Sequence, residues 1–179
     1  MSEQHAELDR RTRAVIRDVP DFPQPGIVFK DITPVLADRE LFRALIAHFA
    51  AVHRPQGIDL VVGIEARGFI FGAPLALELG AGFVPIRKPG KLPYRSVRID
   101  YSLEYGTDAL EAHEDAIRQG QRTLVVDDVL ATGGTAAAAI RLVQQLGGDV
   151  AAACFLIELG FLDGRSRLPK VPVHALVRY

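Results

Sequence analysis

Residues 122–147 read RTLVVDDVLATGGTAAAAIRLVQQLG. The first part, RTLVVDD (122–128), is a short run of branched apolar residues and predicts a strand buried on both faces. From Thr135 the pattern turns helical and stops at Gly147, which predicts a helix over 135–147. Between them Ala131-Thr132-Gly133-Gly134-Thr135 forms a tight entry to that helix. Free amides and the helix dipole suit an anion there. Gly133 and Gly134 allow close backbone approach, while Thr132 and Thr135 add hydroxyls. Yet Asp127 and Asp128 stand just before the loop and would repel a bare phosphate. A sugar phosphate reconciles the two halves. The cradle takes its phosphate, and the carboxylates accept the 2′ and 3′ hydroxyls of a ribose. Side chains alternate along a strand, so one aspartate makes the principal contact. The spacing alone also fits a strand, an acidic turn and a helix entry with no ligand.

The same alternation extends along the chain. Leu41, Phe42, Leu45, Ile46 and Phe49 recur at helical spacing after Asp38, a capping residue, and predict a helix over 38–53. IDLVVGI (58–64) predicts a buried strand, GFIFGAPLALELG a helix, and GFVPIRK (82–88) the next strand. Residues 101–106 form a further candidate strand, and VAAACFLIEL (150–159) another. Strands alternating with helices imply an α/β fold: a mostly parallel twisted sheet with helices on both faces. Ligands of such sheets bind beyond the carboxyl ends of the strands, where the aspartates fall. The 179 residues read as a single domain.

Composition excludes several classes. A formal net charge of −1 gives no global attraction to nucleic acid or an anionic membrane. No apolar run reaches the roughly 20 residues that a membrane helix needs. MSEQHAELDRRTR is charged from the start and holds no signal-peptide core, which predicts a cytoplasmic protein. Cys154 is the only cysteine and lies in an apolar run, so it reads as a buried, inert thiol.

Two further loops carry polar groups in demanding places. In IEARGFIFG (64–72), Arg67 stands among apolar residues after a strand and needs a partner. A salt bridge with Glu65 or Glu78 is one reading, and a phosphate-binding loop is the other. In RKPGKLPYRSVR (87–98), Arg87, Lys88, Lys91, Arg95 and Arg98 occur with no acid among them. A solvated surface loop, an RNA-binding patch, or cations closing over a polyanion all fit; the near-neutral chain and lack of interleaved aromatics weaken the second. Neither common nucleotide motif is present. Gly63 and Gly68 have P-loop spacing but are followed by Phe69 and Ile70, and Gly80 and Gly82 are followed by Pro85.

VVDDVLATGGT (125–135) resembles the 5-phosphoribosyl pyrophosphate (PRPP) signature of the type I phosphoribosyltransferases. DFPQPGIVFKDITPVL (21–36), IEARGFIFG (64–72) and RKPGKLPYRSVRIDYSLEYG (87–106) narrow the likeness to members that act on adenine, over nearly the whole chain. The resemblance implies transfer of a 5-phosphoribosyl group from PRPP to N9 of adenine, giving AMP and pyrophosphate in purine salvage. It implies that Asp127, Asp128 and residues Ala131, Thr132, Gly133, Gly134 and Thr135 hold the ribose 5-phosphate. Backbone around Ala66, Arg67 and Gly68 would cradle the pyrophosphate, with a cis peptide between Ala66 and Arg67. Residues 87–100 would form a flexible lid in which Arg87, Lys88 and Lys91 meet the pyrophosphate, with Arg87 reaching the neighbouring subunit's site in a homodimer. Glu104 and Arg67 would be the catalytic residues. Residues 1–36 would supply the base-binding part: Phe29 stacks on the purine, the Lys30 carbonyl accepts from N6, and the Val28 N–H serves N1. Leu159 would cover the other face of the purine. Many members carry Arg where Lys30 stands; a backbone carbonyl contact survives that change. Mg²⁺ is implied, held mainly by PRPP and water with no protein ligand set. No nucleic-acid or membrane partner is expected.

Overall fold

The computed structural model describes residues 3–102 and 107–179. The chain forms two compact units, one ending at His48 and the other running from Phe49 to Tyr179.

The first unit opens with α1 (Glu3–Val15), followed by an antiparallel pair, β1 (Arg17–Pro20) and β2 (Val28–Asp31). The connection 21–27 is rich in Pro and Gly and could not sustain a ladder. It turns through Asp21 at φ 57°, a cis Phe22–Pro23 bond and Gly26 at φ 88°, and the Gly26 N–H donates to the Asp21 carboxylate at 2.8 Å. After α2 (Thr33–Ala37), Asp38 caps α3 (Arg39–His53) by accepting from the Glu40 and Leu41 amides, both at 3.0 Å. Leu41, Leu45 and Phe49, four residues apart, share the buried face of that helix.

The second unit is built on five parallel strands in the order β4-β3-β7-β8-β9. These are β3 (Leu60–Ile64), β4 (Gly82–Ile86), β7 (Arg122–Leu130), β8 (Asp149–Glu158) and β9 (Val173–Arg178). Val62, Ile64, Val125 and Phe155 lie in the core at 1% exposure or less, as strands covered on both faces require. α4 (Arg67–Leu79) connects β3 to β4, and α5 (Gly134–Gln145) connects β7 to β8. The first crossover steps one way along the sheet and the second steps the other. Right-handed crossovers therefore place the two helices on opposite faces, with the topological switch between β3 and β7. A hairpin, β5 (Ser96–Ser102) and β6 (Thr107–His113), packs against α5.

The strand foreseen over 101–106 is thus the end of β5, and residues 103–106 lie outside the described residues. β7 continues past Asp128 to Leu130 because Val129 and Leu130 still pair with Ile157 and Glu158. Cys154 is fully buried, and burial pushes its thiol up from the ordinary value. Among the described residues no helix is long and apolar enough to cross a membrane.

Candidate active site

Two loops leave the carboxyl ends of the adjacent strands β3 and β7, at the switch point of the sheet. The loop after β7 turns through Gly133 at φ 83°, a conformation that costs glycine nothing, and enters α5 at Gly134. No side chain caps this helix end, so the first-turn amides face the loop. Residues 129–136 together with Asp127 line a cavity of about 90 Å³. Thr132, Gly133, Gly134 and Thr135 all line it.

The two aspartates diverge. Asp127 lines the cavity, and its Oδ1 accepts from the Asp128 amide at 2.9 Å. Asp128, 3% exposed, forms an ion pair with Arg67 Nε at 3.0 Å. Burial pushes Asp127 well above the ordinary carboxylate range, and the adjacent Asp128 charge adds to it. Burial also raises Asp128, and Arg67 opposes that rise. The acid that meets Arg67 here is Asp128 of the neighbouring strand, 61 positions away in sequence, where the sequence had suggested Glu65 or Glu78.

The loop after β3 enters α4 at Arg67, with Ala66 as the cap in the αR region. The non-proline cis bond is Glu65–Ala66, one residue before the expected Ala66–Arg67. The physical reason is the helix start. The Ala66 carbonyl already accepts from Phe69 at 3.2 Å, so the Ala66–Arg67 peptide belongs to the first turn and is trans. Gly68 binds the two loops together. A Cβ there would stand 2.7 Å from the Val126 carbonyl oxygen and 3.1 Å from Asp127 Oδ1, so only glycine lets α4 approach β7 this closely.

The cationic stretch after β4 finds acids from elsewhere in the second unit. Glu65 accepts from Arg87 Nη2 at 3.1 Å, Lys91 Nζ at 2.7 Å and the Lys88 amide at 2.9 Å. Burial raises the Glu65 pKa, but these three donors outweigh it and hold the group at about 2. Lys88 Nζ meets Asp108 and also donates to Tyr101 Oη at 3.1 Å. Thr135 Oγ1 donates to the same Tyr101 oxygen at 3.2 Å, so the loop after β7 and Lys88 share one polar chain. Arg95 faces Glu114 at 3.9 Å and Arg98 faces Asp100 at 2.7 Å. Tyr101 and Asp108 were not singled out from the sequence, and Glu65 was named only as a partner for Arg67. Tyr101 beside the cationic run was a usable signal; Asp108, on the far strand of the hairpin, offered none.

Val28, Phe29 and Lys30 lie on β2 in the first unit, with Val28 exposed and Phe29 in edge contact with Phe22 at 5.1 Å between ring centres. Lys30 Nζ pairs with Asp18 of the partner strand β1 at 2.6 Å. Leu159 follows β8 in the second unit, and its amide donates to the Leu130 carbonyl at 2.9 Å. Glu104 lies outside the described residues.

Residues 35–172 match the family described as phosphoribosyl transferase domain. Adenine phosphoribosyltransferase of Myxococcus xanthus is 63% identical over 174 residues, covering 97% of this chain and 92% of the relative. The crystal structure of adenine phosphoribosyltransferase from Rhodothermus marinus superposes with a TM-score of 0.93 at 55% identity, covering 97% of this chain and 99% of that one. The Saccharomyces cerevisiae enzyme, solved with adenine and an imino-altritol bisphosphate, superposes at 0.91 and 43% identity, covering 96% and 99%.

Proposed function

The chain belongs to the phosphoribosyl transferase family, and we propose that it transfers the 5-phosphoribosyl group of PRPP to N9 of adenine, releasing AMP and pyrophosphate. The observation that carries this reading is the joining of two helix-entry loops at one switch point. Gly68 packs on Val126 and Asp127, and Arg67 pairs with Asp128. A ribose bearing a phosphate at C5′ and a pyrophosphate at C1′ needs two such anion sites with hydroxyl acceptors between them.

In this assignment the amides of the loop after β7, with Thr132 and Thr135, take the 5′-phosphate. Asp127 accepts the ribose hydroxyls from the cavity wall, and Asp128 supports that end of the sugar through its pair with Arg67. Backbone at Ala66–Gly68 and the Arg67 guanidinium meet the pyrophosphate. When the bond from C1′ to pyrophosphate breaks, positive charge grows on the sugar, and the aspartates stabilise it while the cations stabilise the leaving group. Arg87, Lys88 and Lys91 exchange their carboxylates for pyrophosphate oxygens and close over it as a lid, excluding water. Glu104 manages a proton on the purine or offsets the sugar's charge. Val28, Phe29, Lys30 and Leu159 receive the adenine; backbone that satisfies N6 and N1 leaves buried groups unpaired with a 6-oxo purine.

The reading includes Mg²⁺. Among the described residues no group of three metal-ligating side chains forms at either loop, and Asp128 is engaged by Arg67. We take the ion to be held mainly by PRPP oxygens and water, the ligands that Mg²⁺ prefers to an all-protein cage. When bound it supplies charge neutralisation for the departing pyrophosphate. We take the enzyme to act as a cytoplasmic homodimer in purine salvage, with Arg87 reaching the partner's site and residues 1–36 forming the base-binding part of one functional domain. The test offers PRPP and Mg²⁺ with one purine at a time. AMP and pyrophosphate form with adenine. Product from hypoxanthine or guanine alone would assign a different base, and no product with any base would assign a PRPP-binding regulator.

A further inference from the structure

After β8 ends at Glu158, the chain makes two short 3₁₀ turns, Gly160–Leu162 and Gly164–Arg167, joined by Asp163 at φ 49°. Residues 161–167 are exposed except Gly164, which is buried. Gly164 lies against the backbone of the loop after β7. A Cβ on it would overlap the Ala131 carbonyl oxygen and stand 2.9 Å from both Ala131 C and Gly133 N. The contact is reciprocal: a Cβ on Gly133 would overlap the Gly164 carbonyl oxygen and stand 3.0 Å from its carbon. Gly133 has a second reason to be glycine in its φ of 83°. Gly164 does not take a positive φ, so close approach alone explains it.

The turn that carries Gly164 is anchored by the next residue. Arg165 Nε donates to Glu158 Oε1 at 3.1 Å and Nη2 donates to Oε2 at 2.5 Å, a two-point fork that a lysine could not reproduce. Its Nη1 donates to the Val173 carbonyl at 3.0 Å. Glu158 is 3% exposed and sits in register between Leu130 of β7 and Arg178 of β9. The anchor is therefore the end of the central sheet itself, at the point where β7 releases the phosphate loop. Backbone meets backbone at Gly164 and Gly133, with no flexible side chain between them to absorb a displacement.

We infer that Gly164, held by the Arg165–Glu158 fork, is a brace that sets the position of the 5′-phosphate loop, which makes these three positioning residues for phosphoribosyl transfer. The inference rests on the proposed reaction. Amide donors bind a phosphate only within a few tenths of an ångström of their place, so a wall behind the loop controls affinity for the phosphate end of the ligand and not for the base.

The test compares Gly164→Ala and Arg165→Lys with the unaltered protein. The readouts are binding of ribose 5-phosphate and of AMP, KM for PRPP, and KM for adenine at saturating PRPP. Gly164→Ala is expected to weaken ribose 5-phosphate and AMP by about tenfold and to raise KM for PRPP in step. Arg165→Lys gives the same pattern at about threefold. KM for adenine and kcat at saturation stay within about twofold, a split that general loss of structure would not give. Ribose 5-phosphate affinity unchanged in both variants overturns the brace, as does an equal loss for adenine. If Gly164→Ala does not fold, Arg165→Lys decides by the same criteria. Unaltered protein that neither binds ribose 5-phosphate nor makes AMP overturns the proposed reaction instead, before any variant is compared.

Discussion

Asp127 and Asp128 are neighbours in sequence with opposite surroundings, and their difference carries a consequence for stability. Burial and the charge of Asp128 raise the Asp127 pKa above its ordinary 3.8. The folded state therefore holds that proton more tightly than the unfolded chain, and stability falls as pH rises from about 4 through the folded pKa. At neutral pH Asp127 is a cost to the ligand-free fold, of the kind active sites carry. Asp127→Asn keeps the acceptor for the Asp128 amide and removes the charge. It should raise the melting temperature by about 2–4 °C, which about 1 kcal/mol yields in a chain of this size. It should also raise KM for PRPP by about tenfold or more. Scanning calorimetry and steady-state kinetics check the pair, and a lowered melting temperature would contradict the account. Glu65 shows the opposite sign. Its pKa of about 2 lies below the ordinary 4.5, so its contribution is complete above pH 4.5 and disappears as pH falls towards 2. Glu65→Gln should cost on the order of 2 kcal/mol at pH 7 and much less at pH 3. Urea midpoints at the two pH values measure this, and a gap that does not narrow would remove the carboxylate from the account. Sequence alone could show that the aspartates point to opposite faces, because a strand alternates. It could not show which one meets Arg67, since that depends on β3 lying beside β7.

The elements that build the site were legible where local pattern and burial coincide. β3, β7 and β8 are runs of branched apolar residues because both faces are covered, and α3 and α5 show apolar periodicity with clear ends. β6 and β9 were not foreseen. TDALEAH and VHALVR are short and mixed, and they become strands only because β5 and β8 offer edges to pair with. The same limit hid the polar chain from Thr135 through Tyr101 to Lys88, which joins α5, β5 and the cationic stretch. Thr135 stands in the first turn of α5, and in the proposed reaction its hydroxyl would turn from Tyr101 to the 5′-phosphate. Thr135→Val keeps shape and removes that donor. KM for PRPP should rise about tenfold or more, as for a hydrogen bond to a charged group, and AMP should weaken in parallel. KM for adenine at saturating PRPP should stay within about twofold. Equal losses for all three ligands would mean that the substitution disturbs the helix and not the phosphate.

Across the molecule, the candidate ligand contacts divide between two compact units. Local pattern does not reveal this division, because it falls within α3, whose apolar periodicity runs on without a break. The phosphate, pyrophosphate and ribose candidates all belong to the second unit, while Val28, Phe29 and Lys30 stand on the β1–β2 hairpin of the first. Base and sugar phosphate recognition should therefore be separable by mutation. Phe29 is the position to test, since its ring stands in edge contact with Phe22 of the same hairpin at 5.1 Å. Stacking a base on an aromatic ring contributes about 1–3 kcal/mol. Phe29→Ala should therefore raise KM for adenine by about ten- to a hundredfold, with KM for PRPP within about threefold. Phe29→Tyr, which keeps the ring, should restore most of the adenine affinity. Initial rates with each substrate varied at saturation of the other give both constants. An adenine KM that survives the loss of the ring would move base recognition off the hairpin. A PRPP KM that rises equally would show that base and phosphate recognition are not separable at this position.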